Sequence, residues 1–223
     1  HKIVIFAEMK RKDIQAPMGE TTVLLHTCCS PCSSAIIEAM VSNGITPVIY
    51  YCNPNIYPRE EYEIRKNECT RYAQALGLEI VDADYDHENW LEAVKGMENE
   101  PERGGRCLKC FKLRLLRTAL YAKERGIRVI TTTLASSRWK SLDQINEAGE
   151  WACRLGVDTV PSEDAVIWWN QNWRKCGLQE RRLEIIRQYD FYNQLYCGCE
   201  FSMRRLPVEE CQRLLAQACP IER

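Results

Sequence analysis

Seven of the thirteen cysteines in this 223-residue chain stand in three tight groups. They are Cys28, Cys29 and Cys32 in CCSPC, Cys107 and Cys110 in CLKC, and Cys197 and Cys199 in CGC. Close spacing lets neighbouring thiolates meet one metal centre, while the long separations require the fold to bring the groups together. One CxxC is a weak sign, because it serves equally as a dithiol or a zinc half-site. Two of them with a CxC form a stronger one. Four thiolates satisfy a structural zinc or an iron–sulfur cluster, and seven exceed either, so the surplus points to a second metal or a redox-active pair. Cys52, Cys69, Cys153, Cys176, Cys211 and Cys219 read as ordinary free thiols, a residue type that is commonly buried.

Polar groups that could reach the same place carry two readings each. Asn53, Asn55 and Tyr57 leave a predicted strand, where amides bind a substrate or hold a turn. Arg65 meets a phosphate or pairs with Glu61 four residues earlier. Basic residues crowd CLKC: Arg103, Arg106, Lys109, Lys112 and Arg114 neutralise a negative centre, contact a nucleic-acid backbone, or form a solvated face. Ser136, Ser137, Arg138 and Lys140 precede a helix and favour a phosphate or carboxylate, although capping alone explains a serine there. Trp168, Trp169 and Trp173, followed by Arg174 and Lys175, stack on a base or, by preference, pack in a core or lid. Tyr189, Phe191, Tyr192 and Tyr196 share that ambiguity. His26 and His87 show no metal-ligand spacing, and Gly-rich dinucleotide, phosphate-loop and serine-elbow motifs are missing from the sequence.

The elements that must position these groups alternate. Strands are expected over 21–26, 46–51, 78–81 and 129–134, and helices over 33–41, 60–76, 88–97, 107–123 and 141–155. This order predicts an α/β fold: an open, mostly parallel sheet flanked by helices in a Rossmann-like, HUP-like three-layer arrangement. The crevice of such a fold lies beyond the carboxyl ends of its strands, where both CCSPC and the 136–140 segment fall. Residues 1–20 read as a polar arm and 21–223 as one catalytic domain. From about residue 168 a helical extension is expected to form part of the cover over the site.

Lys and Arg total 30 and Asp and Glu 31, giving a net charge of -1, so no global positive field marks a nucleic-acid binder and any contact must be local. No apolar run approaches a membrane span, and no signal-peptide pattern opens the chain. The expected address is the cytoplasm, where thiols stay reduced, and an odd cysteine total rules out complete pairing within one chain.

Five motifs in order, LLHTCCSPCS (24–33), YYCNPNIYPREEYEIR (50–65), ERGGRCLKCFKLRL (102–115), TTTLASSRWK (131–140) and YCGCEFS (196–202), resemble the QueH-type epoxyqueuosine reductases over nearly the whole chain after residue 21. The resemblance implies two-electron reduction of the epoxide of epoxyqueuosine at the wobble position of a tRNA anticodon, giving queuosine and water. It implies a [4Fe-4S] cluster with an additional mononuclear iron, held by residues matching Cys28, Cys29, Cys107, Cys110, Cys197 and Cys199, with Cys32 a ligand or redox partner. It further implies a low-potential electron donor, a ferredoxin or flavodoxin, and neither DNA nor membrane as partner. Glu61 and Tyr62 are the expected proton donors. Asn53, Asn55, Arg65, Arg138, Lys140, Tyr192 and Gln194 are the expected substrate contacts. The chain departs from the family pattern at Asn193 (usually Arg), Leu195 (usually polar) and Asn172 (usually Asp). Two other readings stand beside this one: a zinc protein that binds RNA without catalysis, and an iron–sulfur reductase for another nucleoside or small molecule. A tRNA thiolase is disfavoured, since CCSPC replaces the glycine loop that would bind ATP.

Overall fold

The computed structural model describes residues 14–155, 165–175, 177–204 and 206–218. Cys176, Cys219 and most of the expected N-terminal arm lie outside them.

The central strands are runs of mostly β-branched and apolar residues hidden on both faces, as a parallel sheet requires, while the two edge strands are partly exposed. β1 (Thr22–His26) and β2 (Thr46–Tyr51) are buried beyond their first residue. Together with β3 (Ile80–Asp82), β4 (Val129–Thr132) and β5 (Ile167–Trp168) they form a five-stranded sheet of order β3-β2-β1-β4-β5, in which every pairing is parallel. The chain winds outward from β1 in one direction and returns to add β4 and β5 on the other side. Right-handed crossovers in opposite directions place their helices on opposite faces. Thus α1 (Ser30–Ser42) packs against α2 (Arg59–Ala75), while α4 (Gly105–Glu124), which follows the short α3 (His87–Ala93), packs against α5 (Leu142–Leu155). This is the expected α/β architecture, with the switch point between β1 and β4.

Beyond β5, α6 (Leu178–Tyr189) lies on α1, pinned by a two-pronged ion pair from Arg181 to the buried Glu38 (2.6 and 2.8 Å), and α7 (Glu200–Met203) and α8 (Val208–Ala218) follow. The tryptophans are resolved in favour of packing. Trp168 belongs to β5, and a Cβ added at Gly149 of α5 would sit 2.2 Å from its ring, so glycine there is what lets helix and strand approach. Trp169 and Trp173 are core residues in edge-on contact. The part of the expected arm within the description is also not free: Ile14 and Ala16 are buried, and Ile14 N–H donates to Asn43 Oδ1.

Candidate metal centre

The chain after β1 turns at once into α1, and the turn is made of cysteines. Cys29 is the last extended residue before the helix, its carbonyl accepting from the N–H groups of Cys32 and Ser33. Pro31 occupies the first turn, where its missing N–H costs no hydrogen bond. Cys32 therefore sits inside the helix, three residues after Cys29. The Sγ atoms of Cys28, Cys29 and Cys32 lie within 4.8 Å of one another, with Cys28 and Cys29 3.7 Å apart.

The turn is held from β4. Thr133 begins a short 3-10 turn (Thr133–Ser136) where a longer strand was expected. Its Oγ1 accepts the Cys28 N–H at 3.2 Å and donates to Cys28 Sγ at 3.4 Å. Ser136 Oγ reaches Cys32 O at 3.4 Å, and Arg182 Nε of α6 donates to Pro31 O at 2.6 Å. Beneath the turn, His26 spans three strand ends, with Nδ1 2.7 Å from Thr132 Oγ1 and Nε2 3.0 Å from Cys52 O. A carbonyl only accepts, so the proton is assigned to Nε2. Burial, aided by Arg114, lowers the His26 pKa to about 3, and the ring is neutral.

Hydrogen bonds from Cys29 and Cys32 hold the Cys28 thiol well below the usual range, and Lys140 and Thr133 add to the effect. Donation to Cys28 pushes Cys29 well above that range and Cys32 to about 11. Lys140 faces the same sulfurs: burial disfavours its ammonium, but Cys197, Cys28 and Cys32 outweigh burial and raise its pKa. Three converging thiols at a helix N-terminus, one of them held well below the usual thiol range, fit a thiophilic metal ion.

The other grouped cysteines do not join this set. Cys107 and Cys110 fall in the first turns of α4, where Arg103 N–H donates to Cys107 Sγ at 3.4 Å and Cys110 is buried with Trp90 and Val94. Cys199 packs against that same cluster, and Cys197 is exposed. Burial raises Cys107 to about 11, Cys199 to about 12, and Cys110 above its usual value. Among the described residues, Cys28, Cys29 and Cys32 are the one group of three or more ligand atoms converging in this way. The expected [4Fe-4S] cluster with an additional iron, held among Cys28, Cys29, Cys107, Cys110, Cys197 and Cys199, is therefore corrected: among the described residues only Cys28, Cys29 and Cys32 converge, an arrangement consistent with a mononuclear iron site. Cys107, Cys110, Cys197 and Cys199 lie near enough for their charges to act on one another, and Cys107 and Cys197 border one small cavity, but their sulfurs do not converge as the CCSPC set does.

A cavity of about 640 Å³ opens beside the centre, lined by Cys32, Ser136, Arg138, Lys140, Gln194 and Cys197 among others. Of the expected substrate contacts, Arg138, Lys140 and Gln194 line it, and Gln194 Oε1 is buried without a partner. The others do not line it. Asn53 Nδ2 donates to Thr27 O at 2.9 Å, and its Oδ1 accepts from Arg114; Asn55 is buried. Arg65 is buried against Glu61 (2.7 Å) and donates to the carbonyls of Cys197 (3.1 Å) and Tyr196 (3.3 Å). Tyr192 Oη donates to the other Glu61 oxygen at 2.7 Å, and Tyr62 Oη donates to Asp82 at 2.5 Å. Glu61 and Tyr62, expected as proton donors, thus line neither this cavity nor the small one beside it.

CGC itself is fastened by Arg65 and by Tyr57 N–H, which donates to Gly198 O at 2.9 Å. Gly198 has φ +141°, and a Cβ there would come within 3.1–3.3 Å of Asn55, Ile56 and Arg65. The middle residue of CGC must be glycine for both reasons. The departures Asn193 and Leu195 lie in the cavity wall, whereas Asn172 makes a local turn by accepting Arg174 N–H at 3.1 Å. Sequence reasoning missed Arg182, which also lines the cavity and gives no sign from 150 residues away that it meets Pro31. Cys52, Cys69 and Cys153 are buried single thiols, raised by burial.

A doubly wound α/β domain with a thiol-based metal centre at its switch point defines a metal-dependent class in which cysteines stand where related folds hold a phosphate. The family model for epoxyqueuosine reductase QueH matches residues 23–205. The chain is 46% identical over 194 residues to the epoxyqueuosine reductase QueH of Histophilus somni, covering 87% of this chain and 77% of that protein. It is 44% identical to the protein of that name in Acinetobacter baylyi, covering 87% and 86%, and 31% identical to that of Thermotoga maritima, covering 82% and 90%. The chain belongs to the QueH family.

Proposed function

We propose that this chain is an oxidoreductase that reduces epoxyqueuosine to queuosine in tRNA, with Cys28, Cys29 and Cys32 holding a single iron beside the substrate cavity. The observation that carries the reading is the convergence of those three thiols, with Cys32 in the wall of a 640 Å³ cavity, in a chain of this family. The reaction takes two electrons and two protons: both epoxide carbon–oxygen bonds break, a carbon–carbon double bond forms, and the oxygen leaves as water. The electrons come from a low-potential one-electron carrier protein of the ferredoxin or flavodoxin class, or from dithionite in its place. When bound, the iron supplies Lewis-acid polarisation of the epoxide oxygen and a path for electrons.

The chain's own groups do the rest. Lys140 keeps a proton on Nζ at the cavity wall and offers it as a hydrogen bond to oxygen on the substrate. Gln194 offers an unpaired amide oxygen to a hydroxyl or amine of the ligand. Arg138 meets a phosphate of the anticodon loop. Glu61, Arg65 and Tyr192 hold the backbone that carries Cys197 against the cavity. Among the described residues no helix is long and apolar enough to cross a membrane, and we place the reaction in the cytoplasm with its tRNA.

The test is anaerobic conversion of epoxyqueuosine-containing tRNA by iron-loaded protein and dithionite, read by nucleoside mass spectrometry. Queuosine is the expected product. Unchanged epoxyqueuosine with fully loaded protein would overturn the reading.

A further inference from the structure

The turn from Ser137 to Lys140, at the cavity mouth, joins a fixed backbone to an exposed ring. Trp139 is 78% exposed, more than any other large hydrophobic side chain among the described residues, and it borders both the large cavity and the small one beside Cys107. Its backbone is clamped from two sides. Arg103 donates from Nε to Trp139 O and from Nη2 to Arg138 O, each at 2.9 Å, and Arg174 Nη2 donates to Lys140 O at 2.7 Å. Three successive carbonyls are each met by a guanidinium. Arg103 takes φ +68° to reach them, a conformation uncommon outside glycine, and Gln144 Nε2 fixes it there by donating to Arg103 O at 2.9 Å. A rigid main chain that leaves its largest apolar side chain in water gives up burial without gaining freedom. That combination suits a preorganised contact.

We infer that Trp139 is a stacking platform for an unpaired nucleobase next to the modified nucleotide in the anticodon loop, an inference that rests on the tRNA reading above. The ring stands between two cations in the chain, Arg138, which is exposed, and Lys140, which lines the cavity, and Arg182 lies in the same wall. Two carboxylates, Glu102 and Glu180 of α6, share that wall, so the cationic character is local to the platform turn. An aromatic face flanked by guanidinium and ammonium groups fits a base followed by its phosphates, because every base offers a π-face and every linkage a negative charge. A protein electron donor is the competing occupant, and the experiment separates the two.

Binding of a labelled anticodon stem-loop RNA to the intact protein is measured by fluorescence anisotropy for wild type, Trp139→Ala and Trp139→Phe, together with KM for tRNA and for the reducing protein. Trp139→Ala is expected to raise Kd and KM for the RNA about 5- to 100-fold, with kcat falling less, and Trp139→Phe to restore most of the loss. An unchanged RNA Kd in Trp139→Ala, or a rise confined to KM for the reducing protein, would overturn the platform while leaving the reductase reading intact. Wild-type protein that reduces the free nucleoside yet binds no RNA would overturn the tRNA reading and the platform with it.

Discussion

Two cysteine regions that look alike as text are built differently. In CCSPC the sulfurs converge because a strand end, an extended residue and a first helical turn fold them over one point, and Thr133 and Lys140 help to lower the Cys28 thiol pKa. In CLKC and CGC the sulfurs are neighbours whose charges act on one another, with Cys107 and Cys197 bordering one small cavity, yet among the described residues they do not close on one point as the CCSPC set does. Spacing along a chain shows which thiols are able to meet. Whether they do depends on the backbone between them and on what the side chains pack against.

The largest expected effect is on the convergent side. Cys28→Ser removes one of the three converging thiols, the one whose pKa is lowered, and iron content and turnover should fall by more than the about 10- to 100-fold typical of groups that only support a ligand. Cys107→Ser, measured the same way by metal analysis after gel filtration, should lose less iron. Equal losses would erase the distinction between the two regions.

A second effect falls on the frame that both regions share. Arg65→Met strands the Glu61 carboxylate in a buried site and releases the Cys197 carbonyl, and urea denaturation should show a loss of about 3–5 kcal/mol. Combining it with Glu61→Gln should recover part of that loss, since no unpaired charge then remains. Thr133→Val comes next. It keeps the volume and removes both hydrogen bonds to Cys28, so iron dissociation measured with a chelator should be about 10- to 100-fold easier, with the fold intact. At the small end, Lys95→Met breaks a pair whose side chains are 71% and 72% exposed and should leave the denaturation midpoint unmoved.

The alternation of strands and helices was legible because doubly buried strands and charged-faced helices carry different periods, and the switch-point crevice followed from their order. β5 was not: two residues, Ile167 and Trp168, sit inside a run of tryptophans and become a strand only by pairing with β4. The 129–134 strand stops at Thr132 because its last hydroxyls turn toward the cysteine loop, a tertiary reason invisible locally. For the site, Cys28, Cys29 and Cys32 were readable as a group since they share one turn, and Arg138 and Lys140 because they follow a strand end. Glu61 and Arg65 were readable only as an ion pair or as functional groups. The buried pair is formed, and it holds the Cys197 backbone, 132 residues away.

The central claim is that three thiols after β1 hold the iron at which epoxyqueuosine is reduced. The most direct measurement takes wild type and Cys28→Ser, both reconstituted anaerobically with iron, and follows iron per chain and queuosine per chain in one dithionite-driven turnover of epoxyqueuosine tRNA. The account predicts iron and queuosine in the wild type and the loss of both together in the variant. A variant that keeps its iron and still makes queuosine would contradict it.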